Sequence, residues 1–143
     1  MILTIEPIPM STWGISLASR LDKEEWDEIR HKVYKNARYR CQVCGAIDTK
    51  LHCHEVWKFD DRRRIQKLFG FLCLCKLCHD VKHFGRSIEV EGKDYVEKLI
   101  EHWCRMNKKS KSAFYIYQRK IFELNKKRSE KFYMVKVGGR VLT

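Results

Sequence analysis

The chain has 143 residues, 44% of them apolar, and its 30 lysines and arginines outnumber 18 acidic residues for a formal net charge of +12. That length and apolar content suit one folded domain with a modest core and exclude a disordered chain. No apolar run approaches the roughly 18 residues needed to cross a bilayer. The opening MILTIEPIPM carries neither a basic leader nor a signal core, which predicts a cytoplasmic protein with no membrane partner.

Residues 1–20 read as an irregular arm, with Pro7 and Pro9 breaking any early helix and Trp13, Ile15 and Leu17 alternating like a short strand or packed segment. A helix begins after Asp22, whose side chain can cap it with Glu25 three residues on, and Trp26, Ile29 and Val33 recur at helical spacing to about Asn36. From 37 to 85 cysteine, histidine and aromatic residues dominate. Helical periodicity returns only near residue 76. Gly85 and the following SIEVEGKD read as a turn region before a helix in which Val96, Leu99, Ile100 and Trp103 share a face. Ser110 or Ser112 caps a last helix carrying Phe114, Tyr117, Ile121 and Leu124 to about Ser129, and KFYMVKV alternates like a strand before Gly138-Gly139. The predicted organisation is an arm and helix over 1–40, a metal-rich core over 41–85 and a basic helical extension over 86–143.

Seven cysteines, an odd number, in a reducing compartment read as metal ligands or buried thiols rather than disulfides. Cys41-x-x-Cys44 and Cys75-x-x-Cys78 form two knuckles, each presenting two sulfurs from a tight turn toward one tetrahedral Zn2+. Four sulfurs close the shell, so this zinc is expected to be structural, with any reaction lying elsewhere. The segment LHCHEVW, residues 51–57, suits a strand, which places His52 and His54 on one side and Cys53 and Glu55 on the other. After the second knuckle CHDVKHFG reads as a short helix, and its His79 and His83, at i and i+4, can chelate a second ion. Cys73 and Cys104 read as buried thiols, and His31 and His102 fall on polar helix faces with no assigned role.

CQVC at 41–44, LHCHEVW at 51–57 and LCKLCHDVKH at 74–83 together resemble the HNH endonuclease superfamily, whose core is a beta-beta-alpha metal finger, often braced by zinc knuckles. The likeness extends to small bacterial and phage members with a Cys-His-Glu core. It implies an α+β fold, a zinc-braced finger flanked by an N-terminal helix and C-terminal helices. It also implies metal-dependent hydrolysis of phosphodiester bonds in DNA. Carried onto this sequence, His54 becomes the general base, Glu55 orients it or helps hold the ion, and His79 and His83 become ligands of a catalytic Mg2+, Mn2+ or Ni2+. Cys53 stands where a His or Asp ligand is usual and Gly70 where the family's central Asn falls; whether Cys53, His52 or Glu55 approaches the ion is left open.

The basic residues Arg62, Arg63, Arg64, Lys76, Lys82 and Arg86 are expected around this site, with further runs near Lys108 and Lys126. Clustered cations bind phosphates by releasing condensed counterions and carry no sequence choice, so the expected partner is duplex DNA with loose specificity, bound by a monomer or a homodimer. The alternative is an inactive, zinc-braced nucleic-acid-binding module.

Overall fold

A computed structural model describes residues 1–142 of the chain. Ser16 and Ser19 cap each other around a four-residue helix α1 (Leu17–Arg20), and the Asp22 carboxylate accepts the Glu25 N–H at 2.8 Å to start α2 (Lys23–Asn36). The alternation read in Trp13, Ile15 and Leu17 is therefore no strand. Met10–Thr12 form a 3₁₀ turn after Pro9, and Leu17 opens a helix whose start the Ser16 hydroxyl caps.

The hairpin is longer than the local sequence suggests. Strand β1 (Leu51–Asp60) runs antiparallel to β2 (Ile65–Cys75), and the turn lies at residues 61–64, where the Asp60 carboxylate accepts the Arg63 N–H at 2.9 Å. Val56 faces Gly70 while Trp57 faces Leu68, so Phe69 is an extra residue on β2 and β1 passes the bulge unbroken. Helix α3 (Lys76–Lys82) follows β2 directly, giving the expected strand–strand–helix unit. The predicted turn at SIEVEGKD is instead mostly helical: α4 (Phe84–Val90) continues from α3, with Ser87 buried and its hydroxyl donating to the Asp80 carbonyl at 2.9 Å.

Helices α5 (Lys93–Asn107) and α6 (Lys111–Ser129) complete an α+β fold, and Ser110 caps α6 by accepting from Ala113 N–H. Leu99, Ile100 and Trp103 are buried as their spacing predicts; Trp103 stacks on Tyr117 and meets Phe114 edge to face. The tail adds β3 (Met134–Val137), parallel to β2, and β4 (Arg140–Val141), antiparallel to β3, so the sheet order is β1-β2-β3-β4. The N-terminal arm is fastened across α3, α5 and α6. Glu6 N–H donates to the Lys82 carbonyl at 2.9 Å, Asn107 brackets Leu3 with side-chain hydrogen bonds, and Ile5 N–H donates to the Tyr117 hydroxyl oxygen. Among the described residues no helix is long and apolar enough to cross a membrane.

Candidate metal centres

The first cluster is built at the seam between the hairpin and α3. Cys41 and Cys44 lie in a tight turn in which Gly45 takes φ 78° and donates its N–H to the Cys41 carbonyl, while Cys75 ends β2 and Cys78 sits in the first turn of α3. All four sulfurs lie within 4.8 Å of one another, and Cys44 and Cys75 approach to 3.6 Å. Sulfurs at 2.3 Å from a tetrahedral zinc stand about 3.8 Å apart, so the four-sulfur cluster suits that ion. The proton chemistry points the same way. Hydrogen bonds from Cys75 and Cys78 hold the Cys41 thiol far below its usual range, and the same crowding pushes Cys75 up to about 11 and Cys78 higher still. A divalent ion would relieve the crowding that raises the Cys75 and Cys78 thiols.

Helix α5 touches this cluster through a residue that sequence reading set aside. His102, placed by its neighbours on a polar face, is buried, and its Nε2 lies 3.1 Å from the Cys78 sulfur. The Arg105 guanidinium, which can only donate, lies 3.2 Å from His102 Nδ1. Nδ1 therefore accepts, and the remaining Nε2–H donates to sulfur. A donor of this kind steadies a metal-bound thiolate. Replacing His102 by leucine is predicted to speed loss of zinc to a chromophoric chelator about tenfold or more; equal release rates would refute the role.

The second cluster lies on the other side of the same helix start. Strand alternation puts His52 and His54 on the face of β1 that α3 covers, and the helical repeat brings His79 and His83 to meet them. One nitrogen each from His54, His79 and His83 falls within 4.8 Å of the others. The three rings meet edge to face, at 74° for His54–His79, 68° for His54–His83 and 80° for His79–His83, so they converge on one centre. His52 stacks on His79 with centroids 4.9 Å apart and planes 10° from parallel. Burial and the neighbouring imidazoles hold His79 down at about 3, and burial beside the His54 imidazole and the Arg86 guanidinium holds His83 at about 4, so both rings are neutral with free lone pairs at ordinary pH.

Glu6 completes this cluster, and sequence reading missed it. Its carboxylate accepts from His54 Nε2–H at 2.6 Å and lies 3.4 Å from the Lys82 ammonium. Burial alone would raise the Glu6 pKa, but the hydrogen bond from His54 and the Lys82 ammonium outweigh it and hold Glu6 below the usual carboxylate value. A carboxylate on Nε2 leaves Nδ1 as the bare lone pair, and His54 Nδ1 is buried with no hydrogen-bond partner among the described residues. A buried, partnerless lone pair facing two other imidazoles fits a divalent cation, in the carboxylate–histidine–metal arrangement. The available signal was thin: Glu6 is the one acidic residue before Asp22, set between Ile5 and Pro7.

Several expected site residues stand elsewhere. Cys53, assigned to the catalytic ion, pairs across the strands with Cys73 on the opposite sheet face, and burial pushes its thiol up to about 12. Strand alternation alone removes it from the imidazoles. Glu55 shares that face; its carboxylate accepts the Leu17 N–H at 2.6 Å and anchors α1, and burial raises its pKa. Neither touches the histidine cluster. Lys82, expected on the basic surface, is buried and held by Glu6 and the Thr4 hydroxyl. Lys76 and Arg86 remain about half exposed and flank His79 through their shared partner, the buried Asp80. Arg62, Arg63 and Arg64 are exposed at the hairpin turn, separated from His54 by about 20 Å of strand, so they do not surround the site. His54, expected to act apart from a His79–His83 pair, joins them as the third imidazole.

The chain matches no protein-family model, no curated protein and no solved structure.

Proposed function

We propose that the protein is a metal-dependent endonuclease of the HNH type that hydrolyses phosphodiester bonds in duplex DNA. The observation that carries this reading is the convergence of His54, His79 and His83 on a strand–strand–helix unit braced by four clustered cysteines. The basic excess supplies the polyanionic partner. His54, His79 and His83 would hold a divalent ion, and an all-imidazole donor set favours nickel or zinc over magnesium or manganese. When bound, such an ion polarises a phosphoryl oxygen and acidifies water.

The chain's own residues then divide the remaining work. Glu6 fixes the His54 ring and its tautomer, and the buried Lys82 balances the half-buried carboxylate's charge. His52, stacked on His79 with its Nε2 buried and partnerless among the described residues, is the imidazole left to accept the proton from attacking water. Lys76 and Arg86 offer cationic side chains beside His79 for the scissile phosphate's neighbours.

Incubation of the purified chain with supercoiled plasmid, with each divalent ion or a chelator, tests the reading. Relaxed or linear product is expected with nickel or zinc and none with chelator, and His83→Ala should cut at least about a hundredfold more slowly while staying folded. Retention of plasmid without cleavage under every ion would instead identify a binding module.

A further inference from the structure

We propose that the part of the sheet face beyond α3 binds the sugar–phosphate backbone of duplex DNA through a row of three lysines, Lys58, Lys67 and Lys136, that no local sequence pattern assembles. Lys58 on β1 stands directly opposite Lys67 on β2, and Lys67 directly opposite Lys136 on β3. Neighbouring strands lie about 4.8 Å apart, so the three stems span roughly 10 Å in a line across the sheet. Lys58 and Lys67 are exposed and Lys136 is half-buried.

Like charges directly opposite on adjacent strands destabilise a sheet, and soluble proteins usually alternate signs there. Here no carboxylate answers the row among the described residues: nearby Asp60 lies 3.9 Å from the Arg63 guanidinium, and Asp61 pairs with Arg128. Lys58 rests instead over the ring of the bulge residue Phe69, 3.7 Å from its centroid. An aromatic face holds an ammonium without neutralising it. The three positive charges are thus aligned and uncompensated, an arrangement that an external polyanion stabilises.

Two features select the occupant. The opposite face of the same strands is closed, with Gln66 and Val135 fully buried and Phe59 packed under Tyr133 and Arg128, so the row is the accessible side. Because β1 passes the bulge unbroken, Lys58 shares its face with His54, four residues away. Four residues of strand span about 13 Å, close to four base-pair steps at 3.4 Å. A duplex backbone lying along this face would reach from the imidazoles to the lysines and on toward the exposed Arg62–Arg64 turn, which by itself is too distant to serve the site. The choice of DNA over another polyanion rests on the nuclease reading; the row and its need for an anion do not.

The test is equilibrium binding of the zinc-loaded full chain to a fluorescent 20-base-pair duplex with no exchangeable divalent ion added, over a range of salt, so that cleavage plays no part. Glutamine at all three positions (Lys58→Gln, Lys67→Gln, Lys136→Gln) should flatten the log–log salt slope by about 2 to 3, at about 0.9 per phosphate, and weaken binding tenfold to a hundredfold near 0.15 M salt. The same charge change on α2 (Lys23→Gln, Lys32→Gln, Lys35→Gln) should leave both nearly unchanged, and arginine at the three row positions should keep them. Relief of the like-charge contacts predicts that the row variant melts no lower than wild type. Equal slopes for the row and α2 variants would overturn the proposal, even if the plasmid is cut; a row-dependent slope without cleavage would leave it standing.

Discussion

Serine in place of Cys78 should abolish the cooperative thermal transition of the wild-type chain or lower its midpoint by 15 °C or more. A structural zinc contributes about 10–16 kcal/mol of apparent folding free energy in small metal-braced domains, whereas whole domains are stable by only about 5–15 kcal/mol. Loss of half of that contribution corresponds to about 5–8 kcal/mol, and each kcal/mol moves the midpoint of a domain this size by roughly 3–4 °C. The effect should be large because of what the four sulfurs join. Cys41 and Cys44 tie the loop after α2 to the hairpin, where Gln42 N–H donates to the Cys73 carbonyl at 2.8 Å, and Cys75 and Cys78 bridge β2 to α3. Removing one sulfur opens that seam and leaves His102 facing no thiolate. Circular dichroism of wild type and variant, each with and without a strong chelator, reads the outcome. A wild-type midpoint indifferent to chelator would mean that thiols alone hold the seam.

The second large effect concerns His54 and Glu6. If His54 is a ligand, His54→Ala should lose the exchangeable ion as well as cleavage; if it acted only as a base, ion binding would survive. Glu6→Gln separates positioning from charge. It should weaken ion binding about 10- to 100-fold, because the ring keeps an acceptor but loses the carboxylate charge that makes His54 a stronger donor. It should also destabilise the fold by about 2–3 kcal/mol, because the buried Lys82 loses its counter-charge; the usual cost of 3–5 kcal/mol is moderated because Glu6 keeps 28% exposure. Adding Lys82→Met removes the stranded charge, so the double variant should regain stability while its ion affinity stays low. Calorimetric titration of the ion and urea unfolding give the two readouts independently. Recovery of both together would mean that Glu6 serves stability alone.

What the sequence disclosed follows from how local each signal is. Two Cys-x-x-Cys pairs, the Asp22 cap, strand alternation at His52 and His54 and the i, i+4 pair His79 and His83 all depend on near neighbours, and all took the predicted form. Cys53 and Glu55 were drawn toward the ion by motif position, although the same alternation that aims His54 inward aims them away. Glu6 lies 48 residues from His54 and reaches it only because the arm is fastened over α3, α5 and α6. His102 looked polar in its helix, yet the face it occupies packs on α3 and its partner is a sulfur 24 residues away. The lysine row depends on cross-strand register and on a bulge at Phe69, neither of which leaves a periodic mark in the chain. Local chemistry was legible; long-range partners were not.

Metal stoichiometry tests the central claim most directly. After loading and brief dialysis, the wild-type chain should carry one slowly released zinc and one freely exchangeable divalent ion, and His79→Ala should keep the first and lose the second. A single ion in the wild type, or a second ion that survives the loss of His79, would contradict the account.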